Sequence, residues 1–364
     1  MIGVLGNLAN VGHQFARFLS EAGHPATLLL RERDLPQWRH YNPEGDPYRN
    51  PRVRVVPEPL KGLNLLYEAW SASRCELLIS ICLAGMRYLP FLGRPYVSYA
   101  TGADLRELAG GVGYSGLQVH QARLAFRRAR LVFFSPEQSH IDMIRRLELR
   151  HVVPWRQFVD TRYWSAPPPT AGETLRIFHP TNHVWKEKFP GQGLKRNEVV
   201  FRGFREFLDR GGRGRLSYLR RGQDVVATEQ LVAELRLEPH VEAIGGELNR
   251  DQLKEKVLAA DLIADQFGVG TVGLIALEAL SACRPVIAYF AEEMMALAYP
   301  PPAQGPPLLN ARTPGEVADR LLEVQDPSRL VERALAGRAW IDRYHAPLEL
   351  ARWYWNHIQS RLAL

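Results

Sequence analysis

Cysteine is scarce. The 364-residue chain has three, Cys75, Cys82 and Cys283, an odd number with no Cys-x-x-Cys pair. Cys82 lies in the apolar run LLISIC and Cys283 in a run that reads as a buried helix, so both are expected as core thiols in a reducing compartment. Long hydrophobic runs are missing as well. No stretch of about 18 apolar residues exists, which excludes a transmembrane helix. The opening MIGVLGNLAN has no basic region and Gly6-Asn7 breaks its apolar run, so it does not read as a signal peptide. No internal repeat of about 20–50 residues is visible. A soluble, cytoplasmic protein is the expectation.

What is present is a large apolar fraction, 46% of residues, enough for a sizeable core and against wholesale disorder. Lys and Arg outnumber Asp and Glu by 46 to 39, leaving a net charge of +7. A basic surface suits phosphorylated small molecules, nucleic acid or anionic lipid. The arginines come without interleaved aromatics in a reading module, which argues against nucleic acid. RLAFRRARL and IRRLELRH leave room for peripheral contact with an anionic membrane, although such arginines commonly coat the solvated face of a helix.

Short apolar runs alternate with helical patterns. MIGVL, ATLLL, VRVV, ELLISI, PYVSYA and LVFFS read as strands of one series, and LRIFH, RLSYL, VEAI, DLIAD and PVIAY as a second. Alternation of this kind predicts parallel α/β sheets covered by helices on both faces. Three consecutive prolines in SAPPPTAG, Ser165 to Gly172, favour an extended connection and mark the domain boundary. The expected organisation is a domain over residues 1–165, another over 173–342, and a terminal helix over 343–364.

Five segments could carry chemistry. After the first strand, GNLANVG spans Gly6 to Gly12 ahead of a helix bearing Phe15, Phe18 and Leu19. Such a turn lets a ligand approach the backbone and aims free N–H groups at it. It is not Gly-x-Gly-x-x-Gly, and no acidic residue closes the second strand at Leu30, so a nicotinamide dinucleotide is not indicated. Thr101 and Asp104 in YATGAD follow another strand; Asp104 would also serve as an N-cap for LRELA. In the second series, Lys186, Lys188, Lys195 and Arg196 follow LRIFH, and loop cations suit phosphate. Arg220 and Arg221 end a further strand, where a solvated charge pair is the plainer reading. His179 and His183 are separated by Pro180, which breaks the helix a zinc pair would need, so no metal is expected.

The fifth segment is DQFGVGTVGLIALEALSACRPVI, residues 265–287. Glu278 stands among apolar neighbours, where an unpaired buried carboxylate costs several kcal/mol. With a helix from near Thr271, Thr271, Glu278 and Ser281 share one stripe while Leu274, Leu277 and Leu280 bury the rest. Gly270 and Gly273 leave bare backbone at the helix N-terminus, an anion site, and Glu278 lies roughly 10 Å further along. That separation matches the pyrophosphate and ribose hydroxyls of a nucleoside diphosphate. The plainer alternative is a stripe that faces water.

The second half resembles the retaining GT-B glycosyltransferases of family four. The likeness rests on GTVGLIALEALSACRPVI, on LKRNEVV in place of a Lys-Gly segment, and on SYLRRGQDV. In the first half, GNLANVGHQFARFLSEAGH resembles the family's opening turn and helix, YATGADLREL its His-Gly-x-Asp segment, and VDTRYW the stretch before the linker. The resemblance implies two doubly wound Rossmann-like domains facing each other across a cleft, the donor on the C-terminal side and the acceptor on the N-terminal side, with the last helix crossing back.

The resemblance also implies roles. Glu278 would bind the donor ribose; Lys195, helped by Arg220 or Arg221, would stabilise the leaving diphosphate. Gly12, Gly270, Thr271 and Gly273 would contact the donor, with Thr101 and Asp104 at the reacting end. Two departures touch the sugar end: the family's first glutamate is Gly270 here, with Asp265 as substitute, and its histidine is Thr101. The implied reaction moves a sugar from a nucleotide-sugar donor to a glycan, lipid-linked or small-molecule acceptor with retention, without a cofactor or metal. Its rivals are a sugar-nucleotide epimerase, which needs an acidic cluster the sequence does not display, and a non-catalytic nucleotide-sugar-binding protein.

Overall fold

The computed structural model of the chain describes residues 1–42, 45–58, 63–170, 172–188 and 192–362. Ala171 of the proline-rich connection, residues 189–191 of the lysine-bearing loop and the last two residues of the terminal segment lie outside the described residues. The chain divides into two compact units, one formed by Met1–Phe158 with the segment from Pro347 onward, the other by Val159–Ala346.

The first unit is built on β1 (Ile2–Leu5), β2 (Ala26–Arg31), β3 (Val53–Val56), β4 (Leu77–Ile81), β5 (Tyr96–Tyr99), β6 (Leu131–Phe134) and β7 (Val152–Pro154). Their order is β3-β2-β1-β4-β5-β6-β7 and every pairing is parallel. β1, β4, β5 and β6 are buried at every residue, which is why they read as unbroken apolar runs instead of alternating ones. The strand order reverses between β1 and β4, so the loops leaving those two strands diverge and open a crevice at the carboxyl edge.

The terminal helix Pro347–Leu362 completes this unit's core. Its Leu350, Ala351, Tyr354 and Ile358 join the cluster of Val4, Phe15, Leu28 and Phe133. The Tyr354 ring meets Phe15 edge-on at 4.8 Å, and its hydroxyl donates to the Arg156 carbonyl.

The second unit repeats the plan with β8 (Leu175–His179), β9 (Gly214–Leu219), β10 (Val241–Ile244), β11 (Leu262–Ala264), β12 (Val286–Ala288) and β13 (Leu309–Asn310) in the parallel order β10-β9-β8-β11-β12-β13. Here the switch point lies between β8 and β11. Two strands escape the sequence reading. β7 is three half-buried residues ending in Pro154, and β13 is two residues long; neither presents an apolar run long enough to stand out. Among the described residues no helix is long and apolar enough to cross a membrane.

Candidate functional site

Parallel strands deliver all their outgoing loops to one edge of a sheet. In the second unit the loops after β8, β9 and β11 are neighbours there, and they carry Lys195, Arg220 with Arg221, and residues 265–273. Lys195 is tied both to its own loop and to the β11 loop. Its N–H donates to Val184 O and its carbonyl accepts from Phe267 N at 2.8 Å. Its ammonium donates to the Gln266 amide oxygen. The Gln266 amide nitrogen donates to Thr271 O at 2.8 Å. The lysine is thus held against the start of the Glu278 helix by a residue that sequence reasoning did not single out.

That helix begins later than its pattern suggests. It runs Leu274–Ser281, with Gly273 at the N-cap and no side chain capping its first N–H groups. Thr271 precedes the helix, a correction to the stripe inferred from periodicity, because Gly273 is extended, with φ −76° and ψ 163°, and the helical backbone begins only after it. A Cβ on Gly273 would stand 2.5 Å from Asp265 Oδ2, so a side chain there would displace that carboxylate. Asp265 itself is buried. Its Oδ1 accepts from the Thr181 hydroxyl at 2.7 Å while Oδ2 has no partner. Burial raises its pKa, opposed by Lys195 and Thr181.

Glu278 is buried, at 8% exposure. Burial pushes its pKa up to about 7, opposed by the Arg250 charge and the Trp164 indole. Arg250 also lies 4.5 Å from the centre of the Tyr163 ring, and Tyr163 donates to Asp251 Oδ1 at 2.5 Å. The glutamate therefore faces Trp164 and Arg250 within its own unit. VDTRYW, quoted above as the stretch before the linker, supplies that cover.

The arginines after β9 are less committed. Arg220 is exposed and donates to Glu229 at 2.6 Å; Arg221 donates to Asn182. Arg221 O accepts from His183 N at 2.8 Å, which stitches the β9 loop to the β8 loop. His179 is fully enclosed. Its Nδ1 donates to Ala264 O at 2.8 Å, and its Nε2 accepts from Asn197 Nδ2 at 2.8 Å. Burial lowers its pKa to about 4. His183 is likewise lowered, to about 3, mainly by burial. Both act as neutral struts, and among the described residues no group of three or more His, Cys, Asp or Glu is arranged to hold a metal ion.

In the first unit the turn after β1 is strained and held by amides. Ala9 and Asn10 both have positive φ, 48° and 64°. Asn7 Oδ1 accepts from His13 N at 2.8 Å, and Asn10 Oδ1 accepts from Asn42 at 3.0 Å. Gly12 is mandatory, because a Cβ would fall 1.9 Å from Gly6 O. After β4, Cys82 and Leu83 also have positive φ; Cys82 is half-buried, short of the core position expected. These two turns, with Arg31, Glu68 and Tyr88, line a cavity of about 420 Å³ at the sheet's carboxyl edge.

Thr101 and Asp104 lie at the same edge after β5, two strands from Gly12. Asp104 does not act as the expected N-cap. It is the first residue of a short wide turn, Asp104–Leu108, and its Oδ1 accepts from the N–H groups of Thr101, Gly102 and Leu105, each at 3.0 Å. Oδ2 is left without a partner. Burial raises the Asp104 pKa against the opposing pull of His140.

No protein-family model matches the chain, and no curated protein matches it in sequence. Solved structures do. HepE of Anabaena in complex with UDP and glucose shares 15% identity over 99% of both chains, with a TM-score of 0.65. Sucrose-phosphate synthase from Thermosynechococcus elongatus shares 13% over 100% of this chain and 99% of that one, at 0.68. The lipopolysaccharide outer core galactosyltransferase WaaB, in its apo form, shares 14% over 99% and 98%, at 0.58. These neighbours are GT-B glycosyltransferases, and the likeness gives this chain the GT-B fold.

Proposed function

We propose that the protein is a GT-B glycosyltransferase that takes a sugar from a nucleoside-diphosphate donor and passes it to an acceptor hydroxyl with retained anomeric configuration. The observation that carries this is the linkage Lys195–Gln266–Thr271, which fixes one cation beside an uncapped helix N-terminus at the switch point of the second sheet. As the bond between anomeric carbon and diphosphate oxygen breaks, negative charge grows on the diphosphate. A fixed ammonium and free N–H groups aimed at that charge lower the barrier without reorganising. The acceptor oxygen bonds to the anomeric carbon, and its proton passes to the departing phosphate. Glu278 binds the ribose hydroxyls once the donor has turned Trp164 or Arg250 aside, and Asp265 stands in for the glutamate that Gly270 replaces.

Because UDP is bound by HepE, UDP is the first ligand to test. Thermal-shift screening against uridine, guanosine and adenosine diphosphates should reveal a stabilising base. Release of that diphosphate from the matching nucleotide sugar, only in the presence of acceptor, supports transfer. A second reading, a nucleotide-sugar-binding protein without turnover, is favoured by the enclosed Glu278 and by Gly270; stabilisation by the donor with no release under any acceptor supports it instead.

A further inference from the structure

The helix Asn64–Ser73 in the first unit is inverted relative to an ordinary surface helix. Its inward face carries Ser71, Ala72 and Glu68, whose carboxylate accepts from Arg33 at 3.0 Å. Its outward face carries Leu66, Tyr67 and Trp70, with Leu63 just before it and Arg74 just after. At 100° per residue these five occupy one stripe about 100° wide. Leu66 is 66% exposed and Trp70 52% exposed. Phe91, on the neighbouring segment, is 69% exposed, and Arg94 joins the two segments by donating to Ser73 O at 3.1 Å.

Arginines frame these rings. Arg74 stands 5.1 Å from the Trp70 ring centre and Arg128 5.6 Å from that of Phe91. Arg128 belongs to the RLAFRRARL segment. The only acid between residues 63 and 74 is the inward Glu68, and residues 87–94, RYLPFLGR, contain none. An exposed stripe of Leu, Tyr and Trp edged by arginines, with no carboxylate among its residues, is complementary to an anionic lipid surface: apolar tips enter the acyl boundary, rings sit at headgroup depth and guanidinium groups meet phosphates.

We propose that this stripe docks the protein on an anionic bilayer. Resting on the transfer reading, it also assigns the acceptor to the lipid-borne class, since Leu65 and Glu68 of the same helix line the cavity after β1 and β4. The test is co-sedimentation of the full chain with phosphatidylcholine vesicles, with and without phosphatidylglycerol. Binding should need phosphatidylglycerol. It should fall about tenfold or more in L66S/W70S and about fivefold in Arg74→Gln, while melting temperature and UDP-induced stabilisation stay as in the parent. No binding to anionic vesicles, or binding that L66S/W70S leaves intact, overturns the proposal. So does a dimer on light scattering that the same variant abolishes, which would make the stripe a contact between copies. Vesicle binding with no response to any nucleotide keeps the surface and removes the donor reading.

Discussion

Lys195 donates its ammonium to the side-chain oxygen of Gln266, and that amide's nitrogen in turn holds Thr271 O. That amide fixes the ammonium beside Thr271, where the proposed mechanism puts the leaving diphosphate. Lys195→Ala should therefore lower turnover by about 10²–10³-fold, with unfolding affected by roughly 1 kcal/mol from the unpaired amide. Steady-state release of the diphosphate, beside a thermal melt, separates the two. Unchanged turnover takes Lys195 out of the mechanism.

Arg220 offers the contrast. It is exposed and already paired with Glu229, and exposed pairs contribute little. Arg220→Ala should cost less than about tenfold in the same assay. A loss as large as that of Lys195→Ala would move the leaving-group role to the β9 loop.

Glu278 should make the second unit less stable as pH rises. Its folded pKa of about 7 exceeds the ordinary 4.5. Below the ordinary value both states are protonated and the full contribution is present. As pH rises toward 7 the unfolded chain ionises first, and stability declines by on the order of 3 kcal/mol before levelling. Glu278→Gln should remove this slope. Denaturant melts at pH 5 and pH 7.5 check it; equal slopes in parent and variant would mean that the carboxylate is solvated.

His179 should stay neutral through mildly acidic pH, in a single tautomer. A carbonyl can only accept, so the bond to Ala264 O requires the proton on Nδ1. With the folded pKa lowered to about 4, its contribution is present above about 6.5 and is lost as pH falls toward 4, the opposite sign to Glu278. Imidazole nitrogen shifts in ¹⁵N NMR should report Nδ1–H and no titration between pH 5 and 8. A midpoint in that range would contradict the enclosure.

Gly12→Ala should destabilise the first unit by about 1–3 kcal/mol or more, because the added carbon meets the rigid Gly6 carbonyl at 1.9 Å. Gly116→Ala is the control. A Cβ there meets nothing within 4 Å, and alanine at a helix start is neutral or slightly stabilising. Similar melting temperatures for the two variants would show that the turn yields.

Two parallel sheets and most of their strands are legible in the order of residues alone. VRVV and LRIFH coincide with β3 and β8, each an apolar run broken by one exposed arginine; β1, β4, β5 and β6 are buried throughout and show as unbroken apolar runs. Glu278 stands out as an acid in an apolar run, and Lys195 as one of four cations after a strand, chosen among them by the family resemblance. What these side chains touch follows from the folded arrangement and from nothing in the local sequence. Gln266, Thr181, Trp164 and Arg250 come from separate segments, and a polar residue carries no mark of its partner until the fold brings those segments together. The outward Trp70 stripe was hidden for the same reason: periodicity reveals that a helix has an apolar face, while packing alone decides whether that face turns in or out.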